Sequence, residues 1–417
     1  AAVRPGVGVN DGVTEYINRR NGLKPESYDH ELEKRALIRT RGIILFQDQV
    51  NQIAIDVANF SATEADQLRR SYGQQNSHHL IQSYWKKFQY GAKKNGVDEK
   101  TARKIFKKFN KQYMFPESHA FAFGITAYQS AWLKYHYPLE FFVAIFNQQP
   151  IGFYNSETLK EDAKRHGINV LNPDINKSTG ICVPEGRAVR IGFLNVKAVG
   201  NSSAQKILES RKLNGKFQSI SDFMRRTRMI RTVLENLVDA GAFDALVEDR
   251  RSAKWEIGLR YNPTTNQSSM PMSINQDMAK LPKLTSWEKM ESEYETMSIH
   301  PKNHIMAYLR KKIDRNVIKS TELDRLPEES EVLVAGLVIR RQRPNGKTVF
   351  ITIEDEFGHI PVIAWASTYK RYYEIFNQSL ILIKGKVSKR DTTINIIASH
   401  ASKITQAINL PKSRDWS

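Results

Sequence analysis

Five short runs rich in β-branched and other apolar residues crowd the C-terminal part of this chain, at 332–339, 348–353, 360–365, 380–387 and 393–397. Such residues suit a pleated, half-buried surface, and runs of this length bounded by turn residues read as strands. Asn345-Gly346, between the first two, signals a tight hairpin, because the favoured turn needs φ > 0 at its central positions. Five strands with an intervening segment at 368–376 match a small OB-fold barrel. Upstream the pattern differs: to about residue 150 it reads as helical. Ala102, Ile105, Phe106 and Phe109 fall on one face of a helix expected over 99–109. Ser61-Ala62-Thr63-Glu64 has the capping-box spacing, with the Ser hydroxyl taking the N3 amide and Glu reaching back to the cap amide, so a helix should run through 65–70. The chain is expected to be multidomain, a mainly α region followed by an all-β barrel.

From about residue 186 the register changes. Ile191-Gly192-Phe193, the stretch 196–200, and then Ala204, Ile207 and Arg211 fit a helix-hairpin-helix, two short helices joined by a tight glycine turn. In that reading Gly200 lets the backbone approach a partner, and the amides opening the next helix point at a phosphate. An ordinary helical turn with a glycine C-cap is the alternative. A second copy is expected at 234–244, after Arg225, Arg226 and Arg228. Residues 260–285 are polar and aperiodic, the pattern of a mobile linker, and a helix resumes at 287–294. The expected division is 1–150, 151–260 with the helix-hairpin-helix, 261–330 as linker and helix, 331–405 as the barrel, and 406–417 as a tail.

Sixty-three Lys and Arg against 44 Asp and Glu give a formal net charge of +19, an excess that most often marks a surface meeting phosphates. Between 331 and 403 there are 11 basic residues and 6 acidic ones, so the barrel shares in that field. The single cysteine, Cys182, excludes a disulfide framework and a cysteine-ligated zinc site, and a reducing compartment is expected. No segment approaches the roughly twenty apolar residues of a membrane span, and no signal peptide is evident, so a cytoplasmic location is expected. The length suggests about two to four domains.

Three stretches are more specific. Phe115-Pro116-Glu117-Ser118-His119-Ala120 runs on to Tyr128-Gln129-Ser130-Ala131-Trp132-Leu133-Lys134 and Tyr135-His136-Tyr137-Pro138. Asn147-Gln148-Gln149-Pro150-Ile151-Gly152-Phe153-Tyr154 is followed by Asp162-Ala163-Lys164-Arg165-His166-Gly167, and a further stretch covers 39–54. The first resembles the fingers signature of bacterial C-family DNA polymerases, the alpha subunits of DNA polymerase III. The 147–167 pair resembles the error-prone, translesion class, as does the short ending at 412–417, and Ser298-Ile299-His300-Pro301 occupies the family's slot before the last domain. Because 1–6 begins inside a pattern the family carries in mid-chain, the resemblance implies a fragment.

A polymerase joins a 3′ hydroxyl to an incoming nucleotide through two metal ions, which a carboxylate cluster must hold. The only dense acidic run, Glu354-Asp355-Glu356, precedes Phe357-Gly358 and is expected in a solvated turn between strands. The resemblance places the metal-binding aspartates in the palm, upstream, so no catalytic or metal-binding residue is expected in this chain, Mg2+ would be held outside it, and the fragment alone should be inactive. For nucleotide binding the resemblance implies Arg69 and Arg70 in Leu68-Arg69-Arg70-Ser71-Tyr72-Gly73, Arg4 in the matching upstream segment, and His119. Adjacent helical positions point about a hundred degrees apart, so only one of Arg69 and Arg70 need face phosphates. Gln74-Gln75 stand where main replicases carry basic residues.

The DNA-binding candidates are Arg39, Lys134, Lys197 and Gly200, and on the barrel Arg340, Arg341, Arg343, Lys347, Trp365, Lys384 and Lys386. A hairpin tip is expected to gather Arg340, Arg341, Arg343 and Lys347 as solvated cations, with Lys384 and Lys386 sharing one strand face in the same groove. Phe350 and Trp365 either stack bases there or fill the barrel. The implied partners are primer-template and single-stranded template DNA, deoxynucleoside triphosphates, accessory translesion proteins and, indirectly, the sliding clamp, with a nucleoid-associated location. The alternative is a non-catalytic DNA-binding module built from helix-hairpin-helix and OB elements.

Overall fold

A computed structural model describes residues 12–72, 78–109, 115–261, 281–343, 348–390, 393–404 and 410–415. The chain forms two compact units, Ala1–Trp132 and Leu133–Ser417.

The first unit is helical: α1 (Gly12–Arg20), α2 (Gln47–Ala58), α3 (Ala62–Ser71), α4 (His78–Lys94), α5 (Glu99–Lys108) and the start of α6 (Glu117–His136). The capping box opens α3 as expected: Glu64 N donates to Ser61 Oγ at 3.3 Å, and Ser61 N donates to Glu64 Oε2 at 3.0 Å. Lys87 also binds Glu64, and these contacts lower its carboxyl pKa to about 2. Ala102, Ile105, Phe106 and Phe109 are buried on one face of α5 and its end, with Phe88 of α4 against both phenylalanines at ring separations of 5.2 and 5.5 Å. This packing brings α4 backbone to backbone with the end of α2, where a Cβ built on Gly91 would lie 1.9 Å from the Ala58 carbonyl oxygen. Gly91→Ala must push these helices apart and is expected to cost about 1–3 kcal/mol, read as an earlier transition in urea followed by circular dichroism. An unchanged midpoint would contradict this close approach.

The second unit starts with α7 (Pro138–Asn147) and α8 (Ser156–Arg165), then a small sheet of β1 (Asn169–Leu171), β2 (Val183–Glu185) and β3 (Ala188–Arg190) in the order β1-β3-β2. Four helices follow, α9 (Asn201–Asn214), α10 (Ile220–Thr227), α11 (Arg231–Asp239) and α12 (Arg250–Arg260). One core joins Phe142, Leu159, Val189, Phe193, Leu237 and Ile257. The leading helix of the first expected hairpin is only a 3-10 turn, Phe193–Asn195, because the strands of the small sheet use the residues before it. Gly200 then caps α9. The second hairpin has a full helix, α11, followed by Gly241 at φ 84° and then α12.

After α13 (Ser286–Met297) and α14 (Ile305–Leu309) comes the barrel. Its strands are β5 (Glu331–Gln342), β6 (Thr348–Glu354), β7 (His359–Trp365), β8 (Leu380–Arg390) and β9 (Thr393–Lys403). They run in the order β5-β6-β7-β9-β8, and β8 pairs with β5 to close the sheet. The segment after β7 forms two helical turns, α15 (Ala366–Arg371) and α16 (Tyr373–Phe376). Gly385 sits at the register shift between β8 and β9, where a Cβ would lie 2.4 Å from the Ile397 carbonyl oxygen. A two-residue strand, β4 (Val317–Ile318), adds to β5 in parallel. The Asn345-Gly346 turn, and 262–280 of the expected linker, lie outside the described residues.

The acidic run is not a solvated turn: Glu354 and Asp355 are fully buried. Asp355 accepts from Ser320 N and Oγ and from the amides of Phe357 and Gly358, while Arg310 reaches Asp355 and grips Glu356 at 2.9 and 2.8 Å. Glu354 pairs with Arg165 of α8 at 3.2 Å and with His359 at 3.0 Å, and burial raises its carboxyl pKa. The turn lies beneath residues 310–320 and α8, which supply the compensating donors.

A second buried knot joins α8 to the chain after α13. Lys160, wholly buried, donates to Glu157 at 2.7 Å and to the carbonyls of His300 and Asn303, and pairs with Glu161 at 2.6 Å. The Tyr294 hydroxyl and the His300 amide donate to the same Glu157 carboxylate.

Candidate nucleic-acid interface

In the first unit the start of α2 is the meeting point. Gln47 N donates to the Phe115 carbonyl, and Asp48 Oδ2 accepts from Glu117 N at 2.7 Å, which fixes the start of α6 against it. Arg39 pairs with Glu117 at 2.8 Å and keeps two thirds of its side chain exposed. Arg69 is pinned from two sides, donating to Gln47 Oε1 at 2.7 Å and to Asp66 Oδ1 at 2.6 and 3.0 Å. Arg70 touches the other Asp66 oxygen at 2.7 Å but is 69% exposed, against 27% for Arg69. Hydrogen bonding from Arg69 lowers the Asp66 pKa. His119 is exposed, its ring between Phe115 at 5.0 Å and Phe123 at 4.5 Å. Arg39, Arg69, Arg70 and His119 are thus gathered around one helix start; Arg4 lies outside the described residues. Gln47, which orients Arg69, was missed, and a lone glutamine carries no pattern that could have singled it out.

In the second unit, Lys134 pairs with Asp162 at 2.6 Å and lies 5.6 Å from the Phe142 ring. The exposed Lys197 and Gly200 flank the turn into α9, and a Cβ on Gly200 would meet nothing within 4 Å. The backbone of that turn is therefore accessible from outside. Among the described residues Lys197 is tied back through its backbone, whose N–H donates to the Thr296 carbonyl and whose carbonyl accepts from Asn236 Nδ2.

On the barrel, the pairing register decides which side chains share a face. Val349, Ile351 and Ile353 of β6 and Ile360, Val362 and Ala364 of β7 are buried inside. Phe350, opposite Gln342 and Ile363, and Trp365, opposite Thr348, therefore project outward, and they are 38% and 51% exposed. They do not fill the barrel. Arg340 pairs with Thr352 on the same outer face, diagonal to Phe350. Arg343 is exposed, its guanidinium 4.4 Å from the centre of the Tyr369 ring.

Two expectations fail here. Arg341 is not a solvated cation: it is buried, donating to the carbonyls of Phe376 and Gln378 and binding Ser413 and Asp415, because its place in β5 faces the helical turns after β7 and the tail. Lys384 and Lys386 do share one exposed strand face, but not in a groove with Arg340. Lys386 lies opposite Glu331 and Lys384 opposite Leu333, nine and seven residues from Arg340, or about 30 and 23 Å of strand. Barrel closure sets β8 against the first half of β5 and β6 against the second. Both lysines instead pair with Glu331 and Glu329 at 3.0 and 3.1 Å, exposed contacts of little energetic weight. Lys347 lies outside the described residues.

Among the described residues no group of three or more His, Cys, Asp or Glu could hold a metal ion. Asp355 and Glu356 are taken up by Arg310, Ser320 and backbone amides, and Glu354 by Arg165 and His359 through Oε1 alone, so the run does not converge as a two-metal centre. No helix among the described residues is long and apolar enough to cross a membrane.

Residues 1–96 match the family model for the bacterial DNA polymerase III alpha subunit finger domain, 167–253 that for the helix-hairpin-helix motif, and 332–404 that for the OB-fold nucleic acid binding domain. The chain is 33% identical over 426 residues to the error-prone DNA polymerase of Mycolicibacterium paratuberculosis, which matches all of this chain and 39% of that protein. It is 32% identical over 435 residues to that of Nocardia farcinica, again over the whole chain and 38% of the relative. A third, from Methylococcus capsulatus, is 33% identical over 448 residues, with 42% of its length covered. The chain spans about two fifths of the length of the curated relatives it matches.

Proposed function

This chain belongs to the bacterial DNA polymerase III alpha-subunit family, among its error-prone members, and we propose that it supplies the nucleotide- and DNA-binding parts of a damage-tolerant, DNA-directed DNA polymerase. The observation that carries the reading is the outer face of the barrel, where the exposed Phe350 lies diagonal to Arg340 on one side and to the exposed Trp365 on the other. Aromatic faces stack unpaired bases and cations take the phosphates between them, which is how such barrels hold a single strand without reading its sequence. The template strand runs over this face. The open turn at Lys197 and Gly200 contributes backbone amides to a phosphate of the duplex.

In the first unit the cluster around the α2 start receives the triphosphate. Arg70, the more exposed of the pair, makes the phosphate contact, and Arg69, held by Gln47 and Asp66, keeps the geometry. In the full-length enzyme Arg70→Ala is expected to lose a charge-assisted contact of about 1.5–3 kcal/mol, roughly ten- to a hundredfold in apparent nucleotide affinity. Steady-state nucleotide titration checks this, and an unchanged dependence would refute the assignment. Mg2+ is held by residues beyond this chain. Accessory translesion proteins, indirect access to the sliding clamp and a nucleoid-associated cytoplasmic location complete the reading.

A non-catalytic DNA clamp would share the barrel and the helix-hairpin-helix but leave the cluster of Arg39, Arg69, Arg70 and His119 without a task. The test uses the purified 417-residue chain with primer-template, magnesium and nucleotides. It should bind the DNA and leave the primer unextended, and failure to bind or measurable extension would sink the proposal.

A further inference from the structure

We propose that Phe153, in the segment between α7 and α8, extends the barrel's binding face beyond the barrel and forms with Arg340 a further stacking position for single-stranded DNA. The inference rests on the reading of the barrel face given above. The Arg340 guanidinium lies over the Phe153 ring, 5.5 Å from its centre, and Phe153 is 49% exposed. The Arg340 side chain makes no hydrogen bond or ion pair among the described residues, so its terminal nitrogens are uncommitted, whereas its neighbour Arg341 donates to two carbonyls and to the tail. An arginine laid on an aromatic ring while keeping unused donor capacity suits a nucleotide, whose base stacks and whose phosphate accepts. Arg340 and Arg343, each over a ring, make this end of the face cationic and favour a polyanion over a neutral peptide.

The placement of Phe153 is built by three separate parts of the chain. Gly152 takes φ 62°, and a Cβ there would lie 2.8 Å from the Tyr154 ring, while Tyr154 itself packs on the core. The segment thereby holds Tyr154 in and leaves Phe153 half exposed. Asn155 caps α8 through Thr158 N at 2.9 Å, and its Nδ2 donates to the Lys412 carbonyl at 3.0 Å. Two residues on, Arg414 N donates to the Ile339 carbonyl at 3.0 Å, next to Arg340. The strap at 410–415 therefore stitches the residues after Phe153 to the strand that carries Arg340. From Trp365 through Phe350 and Arg340 to Phe153, the elements form one track on a single unit.

The test compares Phe153→Ala, Phe153→Trp and Trp365→Ala in the 417-residue chain, by fluorescence anisotropy of labelled oligo(dT). Loss of one base stack predicts that Phe153→Ala weakens binding by about fivefold or more. Phe153→Trp should keep the affinity and show an added indole emission, relative to wild type, that is quenched as oligo(dT) saturates. If Trp365→Ala weakens binding while Phe153→Ala stays within about twofold of wild type and the new indole is not quenched, the extension is overturned and the barrel reading stands. If neither alanine variant changes affinity, the barrel reading falls, and the extension with it.

Discussion

Lys160→Met should destabilise the second unit by about 3–5 kcal/mol, because it strips the one buried ammonium, among the described residues, that pairs with both Glu157 and Glu161, two carboxylates that the fold keeps out of water. Glu157 and Lys160 are fully buried and Glu161 is 3% exposed. Burial alone pulls the Lys160 pKa down, but Glu157 and Glu161 outweigh it and hold the pKa above its ordinary value. The two carbonyls that accept from Lys160, at His300 and Asn303, would lose their donor at the same time. Methionine fills most of the volume, so the loss reports charge and hydrogen bonding rather than a cavity. The measurement is urea unfolding of the 417-residue chain, with a triple variant, Glu157→Gln, Lys160→Met and Glu161→Gln, beside it. The triple variant should recover much of the deficit, since removing all three charges leaves none unpaired. A single variant within about 0.5 kcal/mol of wild type would mean that water reaches this knot.

Replacing Phe350 and Trp365 together by Ala is expected to weaken binding of an unstructured oligonucleotide about thirtyfold or more, at roughly 1–3 kcal/mol per stacked base. The two side chains are diagonal neighbours across β6 and β7, so their effects need not add. Both are exposed, so the barrel should melt as before. The salt dependence separates this loss from an electrostatic one: aromatics neutralise no phosphate, and the log–log slope should stay as in wild type. Arg340→Gln with Arg343→Gln should instead flatten it, each phosphate contact contributing about 0.7 for a single strand. Identical affinity in the aromatic double variant would move the binding surface elsewhere on the chain.

How much of this was legible in the sequence follows from what period and spacing can encode. Four of the five barrel strands appear within three residues of their expected limits and the last runs six residues further, because alternation of Val349, Ile351 and Ile353 with Phe350 and Thr352 is a direct image of a pleated strand with one buried face. The same alternation sets Phe350 apart from its buried neighbours, but only strand pairing shows that it and Trp365 lie on one outer face. Strand β4, two residues long, is too short to have a period. Glu354 and Asp355 read as solvated because isolated carboxylates are costly to bury; their partners, Arg165, Arg310 and Ser320, lie 35 to 189 residues away in sequence. Arg341 misled for the same reason, since its acceptors sit at 376, 378, 413 and 415. For Arg69 and Arg70 the helix period allowed one outward and one inward arginine without saying which, and Gln47 decides it from another helix.

The central claim, that a single strand lies on the outer face of this barrel, is tested most directly by photocross-linking. The 417-residue chain is irradiated with oligo(dT) carrying iododeoxyuridine, and the adducts are mapped by mass spectrometry. The account predicts adducts on Phe350 and Trp365, competed away by unmodified oligo(dT). Adducts confined to the helical region before the barrel, with none between residues 340 and 365, would contradict it.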